Sequence, residues 1–132
     1  MVLTIRTKGN TDIIDITEPV AEIVKTSKIK DGIVNIFVKG STAGITTIEP
    51  DENLYDDMKS FLDEIIPMDR NWKHHKTWGD DNGGSHLRAS IVGPSQTIPF
   101  LNNNLILGTW QKIVLIDFDT SSREREVYIT IK

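Results

Sequence analysis

Cysteine is absent from the chain, which excludes both disulfide bonds and metal sites built from thiolates. Long apolar runs are absent too, because no stretch approaches the ~20 residues that span a bilayer. The opening residues, MVLTIRTKGN, also lack the apolar region of a signal peptide. We therefore expect a cytoplasmic protein with no membrane partner.

An excess of positive charge is also missing. The formal net charge is −4, and the lysines and arginines are scattered rather than clustered. Proteins that bind nucleic acid through its phosphates usually carry a basic patch, so nucleic acid is not an expected partner. The 38% content of hydrophobic residues is ordinary for a globular protein, and a length of 132 residues predicts one domain, residues 1–132.

The order of the predicted elements indicates an α+β fold. In sequence these are strands 2–8 and 12–16, helix 17–27, strands 33–40 and 43–49, and helix 52–66. Asp51 is suited to cap the second helix and Pro67 to end it. Since the elements do not alternate as βαβ units do, we expect mainly antiparallel sheet or a sandwich, with two or three helices.

The last third of the chain is predicted to contain a short helix and then strands. HLRASIV fits a helix capped by Ser85 with Gly93 at its exit, or a strand because its apolar residues alternate; the helix is favoured. The last forty residues predict an antiparallel meander with turns at 102–104 and at TSSRER.

All three histidines lie in one segment, NWKHHKTWGDDNGGSH, residues 71–86, whose Gly, Asp and Asn content is typical of a turn-rich loop. Neutral imidazole is a metal ligand and a general acid or base near pH 7. His74 and His86 can converge across this segment. The adjacent His74 and His75 would point different ways if the backbone is extended, so at most one of the two faces a shared site. The other reading is an exposed polar loop whose histidines share no site.

Other polar residues can supply further groups to such a site. Asp80, Asn82 and Glu49 offer oxygen ligands or hydrogen-bond partners, and two imidazoles with carboxylates suit Zn²⁺, Mn²⁺ or Fe²⁺. Ser41 and Thr42 in GSTAG can donate hydrogen bonds to an anion. The segment lacks the Gly-Lys-Ser/Thr of a P-loop, and a tight connection between strands explains it more simply.

Three motifs are informative together: SQTIPFLNNNLILGTWQKI, GSTAGITTIE, and the histidine segment with its aromatic-x-His, Gly-Asp-x-Asn and second His. In these motifs the chain resembles the YjbQ-like family, known as secondary thiamine-phosphate synthase enzymes. The order and lengths of the segments agree from about Ile5 to the end. The chain departs at Gly40, where many relatives carry a His just before Ser-Thr-Ala.

The resemblance implies a homotrimeric α+β protein with a site near the subunit boundary. It implies that His74 and His86 hold a divalent metal (Zn²⁺, Mg²⁺ or Mn²⁺), with Glu49 and Asp80 as catalytic carboxylates. The implied substrate-binding residues are Ser41, Thr42, Asn82, Trp110 and Gln111, although the pattern around Trp110 alone favours a place in the core. The family's reaction joins hydroxymethylpyrimidine diphosphate to a thiazole phosphate and releases pyrophosphate.

Three functions remain open from the sequence. The leading one is a metal-dependent enzyme acting on a small phosphorylated or anionic compound, with thiamine-phosphate synthase as a possible secondary activity. The alternative is a non-catalytic trimeric protein that binds a metal or an anionic metabolite. The third is a metal-assisted hydrolase with Glu49 or Asp80 as its base.

Overall fold

Two antiparallel sheets organise the chain, which a computed structural model describes from Met1 to Lys132. The strands are β1 (Val2–Thr7), β2 (Asp12–Asp15), β3 (Gly32–Val38), β4 (Ala43–Ile48), β5 (Ser95–Leu101), β6 (Asn104–Leu105), β7 (Lys112–Asp117) and β8 (Arg123–Ile131). The helices are α1 (Thr17–Thr26), α2 (Glu52–Ile65), α3 (His75–Trp78) and α4 (Gly83–Val92). The five-stranded sheet has the order β1-β8-β3-β5-β6, and the three-stranded sheet the order β2-β7-β4. The predicted α+β class with mainly antiparallel sheet is confirmed.

Strand β7 separates two hydrophobic cores. Ile113 and Leu115 point into a core that lies between the sheets and includes Val20 and Val24 of α1. Val114, Ile116 and Phe118 point to the opposite side, into a smaller core with side chains of α2 and α4. Because alternate side chains of a strand face opposite ways, the unbroken run IVLI is buried on both faces of the sheet.

The predicted helices are confirmed, with changes at their ends. The carboxylate of Asp51 caps α2 by accepting a hydrogen bond of 3.2 Å from the backbone N–H of Asn53. HLRASIV is helical, but α4 begins at Gly83 with Asn82 as its N-cap, and Ser85 is buried inside its first turn. The short α3 raises the number of helices to four. None of the four has the length and apolar content to span a bilayer.

The predicted meander over the last forty residues is wrong. Strand β5 forms a hairpin with β6 through Asn102 and Asn103, both with positive φ, as the asparagine-rich turn predicts. The chain then leaves that sheet, and β7 pairs with β2 and β4, whereas β8 returns to pair with β1 and β3. Consecutive strands β7 and β8 therefore belong to different sheets.

Replacing Leu115 by alanine tests the two-core arrangement. Leu115 is fully buried, so Leu115→Ala is expected to lower the free energy of unfolding by about 2–5 kcal/mol in urea titrations. The matched control is Leu101→Ala at a half-exposed position of β5, expected to cost less than about 1 kcal/mol. Equal losses in the two variants would contradict the assignment of β7 to the core.

Candidate functional site

The rings of His74 and His86 lie together, with their centroids 4.7 Å apart and their planes at 66°. His74 immediately precedes α3, which ends at Gly79 with φ +70, and His86 lies in the first turns of α4. Two short helices around a tight turn thus replace the simple loop expected from composition. The approach of the two rings that the sequence predicts is present in the fold.

His75 faces a different way and supports the segment itself. Its Nε2 accepts a hydrogen bond of 3.4 Å from the backbone N–H of Gly83, and its Nδ1 lies 3.5 Å from Oδ1 of Asp81. A Cβ at Gly83 would stand 2.9 Å from Cβ of Trp72, so only glycine allows this close packing. His75 therefore holds the turn that brings His74 to His86.

The histidine pair lines a cleft of about 580 Å³ together with Arg123, Arg125 and Asp119. Arg125 of β8 is buried and forms a two-pronged pair with Asp117, with Nε–Oδ2 at 2.7 Å and Nη2–Oδ1 at 2.9 Å. Arg123, two residues earlier on the same face of β8, pairs with Asp119 at 2.9 Å. Each arginine charge in the cleft is therefore balanced by an aspartate.

Hydroxyl groups complete this network. The Thr42 hydroxyl accepts a hydrogen bond of 2.7 Å from Nη2 of Arg125 and donates one of 3.0 Å to Asp119. The Thr7 hydroxyl donates to Asp117. Thr42 is thus committed to the network, whereas the neighbouring Ser41 is exposed to the cleft.

Both aspartates are held in their charged form. Burial on its own would raise the pKa of Asp117, but hydrogen bonds from Arg125, Thr7 and the backbone outweigh it and lower that pKa below its ordinary value of 3.8. For Asp119 burial is likewise outweighed, in this case by hydrogen bonds from Thr120, Thr42 and Arg123, so its pKa is also lowered. Two full negative charges therefore face the two arginines at neutral pH.

Gly40 leaves the remaining nitrogen of Arg125 open to the cleft. Arg125 forms its hydrogen bonds through Nε and Nη2, and a Cβ at Gly40 would stand only 2.8 Å from Nη1. Gly40 also has φ +133, a backbone conformation that other residues rarely adopt. The absence of a side chain at this position therefore lets a ligand approach the arginine.

The structure brings together some of the predicted site residues and separates others. Those that line the cleft are His74, His86, Asp80, Asn82, Ser41 and Thr42. Glu49, Trp110 and Gln111 do not line it, because the β4–β7 register pairs Ala43 with Asp117 at the cleft and Ile48 with Lys112 at the far end, about 17 Å of strand away. The Trp110 side chain is also exposed, so its expected place in the core is wrong. The roles of the far-end residues stay predictions.

Sequence reasoning missed the arginine–aspartate network. TSSRER was read as a turn, but its last residues begin β8. The signal was available in the alternation of RER, since residues two apart in a strand share a face. DFD, which begins at Asp117, the last residue of β7, and continues to Asp119, shows the same alternation. What the sequence did not reveal is that these two segments, from different sheets, meet beside the histidines.

Acid should weaken the fold through the two aspartates. Because their folded pKa values are depressed, the stability they contribute is complete above about pH 4 and is lost as the pH falls through those lower values. Urea titrations from about pH 6 down to about pH 2 should show this loss, and Asp119→Asn should make it shallower. The exposed Asp57→Asn serves as the matched control and should leave the slope unchanged. An Asp119→Asn profile as steep as the parent's would contradict the assignment.

A family profile described as "UPF0047 protein YjbQ-like" matches residues 1–132. A UPF0047 protein of Methanothermobacter thermautotrophicus is 36% identical over 129 residues, which cover 98% of this chain and 88% of that protein. YugU of Bacillus subtilis is 36% identical over 128 residues, which cover 96% of this chain and 94% of that protein.

A crystal structure of a YjbQ/UPF0047 protein from Clostridium acetobutylicum superposes with a TM-score of 0.91 at 34% identity, covering 100% and 99% of the two chains. A crystal structure of a hypothetical protein from Aeropyrum pernix K1 superposes with a TM-score of 0.92 at 30% identity, covering 100% and 96% of the two chains. With its whole length matched in sequence and fold, the chain belongs to the YjbQ-like UPF0047 family.

Proposed function

We propose that the protein is a metal-dependent enzyme acting on a small phosphorylated compound in the cleft lined by the histidine pair and the arginines. The observation that carries this proposal is that two contacting imidazoles and two arginines line the same cleft. Imidazoles supply metal ligands, and guanidinium groups match the geometry of phosphoryl oxygens. The imidazoles and the arginines therefore suit the two parts of a metal–phosphate pair.

The charge balance of the cleft favours a metal ion over a bare anion. Asp117 and Asp119 offset the two arginines, while Asp80 and Glu124 add further negative charge to the lining. A phosphoryl group entering alone would meet no net positive charge. A divalent cation at the histidines supplies that charge, so we expect anion binding to depend on metal.

The histidine pair fits a divalent ion, but two imidazoles alone make an incomplete site. Nε2 of His74 is buried and has no hydrogen-bond partner within the chain, as a nitrogen kept for a ligand would be. No group of three or more His, Asp or Glu side chains is placed to hold an ion. Catalytic zinc sites generally use three protein ligands, so another group must contribute. When bound, such an ion stabilises the negative charge that develops on a departing phosphate or diphosphate.

The remaining residues of the cleft have separate tasks in this proposal. Nη1 of Arg125 and the half-exposed guanidinium of Arg123 orient the phosphoryl oxygens, and Ser41 donates a hydrogen bond to them. Asp80, which lines the same cleft, is the carboxylate in place to accept a proton. A secondary thiamine-phosphate synthase activity would place the diphosphate leaving group against these same arginines.

A second candidate function is non-catalytic binding of a metal or an anionic metabolite. Glu49, the other carboxylate expected to be catalytic, lies at the opposite end of β4 from the cleft, which leaves Asp80 as the one predicted catalytic carboxylate there. Measurement of turnover separates the enzyme from the binding protein. Both are expected to bind the metal, but only the enzyme converts a substrate into product.

Removing the metal or either histidine is expected to abolish turnover. The assay is release of phosphate or pyrophosphate from a panel of phosphomonoesters and diphosphates, with the hydroxymethylpyrimidine diphosphate and thiazole phosphate pair included. A chelator, His74→Ala and His86→Ala should each lower the rate by about 100-fold or more. The matched control is Lys76→Gln, an exposed position of the same segment that does not line the cleft, and it should retain the parent rate. Stoichiometric metal that is lost in both histidine variants, with no turnover across the panel, would favour the binding function.

We also propose that the chain forms a homotrimer. Large apolar side chains are unusually exposed on the single chain, with 77% for Trp78 and 68% for both Ile91 and Trp110. Exposed apolar groups of this size are typical of surfaces that contact another protein. A neighbour could also bring the far-end residues Glu49 and Gln111 to the cleft.

Light scattering provides the test of assembly. The expected native mass is about three times 14.9 kDa. A stable species of 14.9 kDa at concentrations used for the activity assay would exclude the trimer.

A further inference from the structure

We infer that Asn82 is the third side-chain ligand of the metal site, binding the ion through Oδ1 together with His74 and His86. This inference rests on the proposed function. It assigns to Asn82 a direct bond to the metal in place of the substrate contact that the sequence suggested.

The first observation concerns unpaired buried atoms. Two buried side-chain polar atoms of the chain have no hydrogen-bond partner, Nε2 of His74 and Oδ1 of Asn82. Both residues line the same cleft, and His86 lies there with them. Buried polar atoms are nearly always paired in folded proteins, so two unpaired atoms on residues of one cleft are candidates for binding a common partner.

The second observation is the position of Asn82 on α4. Asparagine is a favoured N-cap because its side chain usually accepts a hydrogen bond from the first turn, yet Asn82 stands at the N-cap without making that bond. Its backbone carbonyl accepts the N–H of His86 at 3.3 Å, so the first turn of the helix is formed regardless. Asn82 itself has a non-helical backbone (φ −106, ψ 21), and it lines the same cleft as His86 of the first turns of α4.

The chemistry of the two atoms suits a cation as their partner. An amide oxygen accepts hydrogen bonds and cannot donate them. An imidazole nitrogen that carries no proton behaves in the same way, because it also offers only a lone pair. A divalent ion satisfies both atoms at once, whereas an anion would be repelled by the oxygen. Two imidazoles and one amide oxygen form a neutral ligand set, which leaves the full charge of the ion for the phosphoryl group. Such mixed nitrogen and oxygen ligands suit Zn²⁺, Mn²⁺ or Fe²⁺.

The amide could serve in another way, and this sets the design of the test. Rotated by half a turn, the Asn82 side chain would present its NH₂ group and donate to a bound anion. Aspartate keeps the oxygen and lacks the NH₂ donor, while leucine keeps the branched shape and lacks both. The two substitutions therefore distinguish a metal ligand from an anion donor.

The experiment is titration with Co²⁺ alone, followed by visible absorption and calorimetry, on the full chain. Asn82→Leu is expected to weaken Co²⁺ binding by about tenfold or more, and Asn82→Asp to bind within about threefold of the parent or more tightly. The exposed Asn53→Leu is the matched control and should bind Co²⁺ as the parent does. Circular dichroism checks folding, and Asn82→Ala replaces the leucine variant if that variant does not fold.

Different failures have different meanings. If His74→Ala and His86→Ala lose Co²⁺ while the leucine variant binds normally, the role of Asn82 is wrong and the histidine metal site survives. A folded Asn82→Asp that loses Co²⁺ would also overturn the role of the oxygen. If the parent chain binds no Co²⁺, the metal-dependent function and this inference both fail.

Discussion

The buried pair between Arg125 and Asp117 is the interaction on which the arrangement of the cleft depends. It joins β8 of the five-stranded sheet to the end of β7 in the three-stranded sheet. Thr42, which immediately precedes β4, and Thr7 of β1 also bind this pair. Burying two charges is costly, so such a pair adds little stability relative to an apolar contact. Removing one partner is costly, however, by about 3–5 kcal/mol, because the other is left buried and uncompensated. The pair therefore fixes how the two sheets meet more than it strengthens their contact.

The electrostatic properties of the cleft follow from the pair between Arg125 and Asp117. Asp117 uses both carboxylate oxygens on Arg125, so the arginine keeps its position but gives up most of its attraction for an outside anion. What remains is a positioned Nη1 beside Gly40 and two imidazoles that line the same cleft. Arginines that can orient a phosphoryl group but do not attract it need a second source of positive charge beside them. This is the physical reason for linking the arginines and the histidines in one metal-dependent function.

Local patterns in the sequence predicted the local parts of the structure. The caps and periodicity of α2, the helical HLRASIV segment and the asparagine turn between β5 and β6 were all predictable because each depends on neighbouring residues. The convergence of His74 and His86 was also predictable, since a short segment separates them. The partition of β7 and β8 between two sheets was not, because strand pairing depends on contacts between residues far apart in the chain. The same long-range contacts set the arginine–aspartate network and the distance of Glu49 from the cleft, so both were missed.

Coupling between metal and phosphate tests the account most directly. Calorimetric titration of inorganic phosphate into the metal-free protein and into the Zn²⁺-loaded protein measures that coupling, which must be the same whichever ligand binds first. The account predicts that phosphate binds at least about tenfold more tightly to the loaded protein, because the aspartates already offset the arginines. Equal phosphate affinity with and without the metal would contradict it.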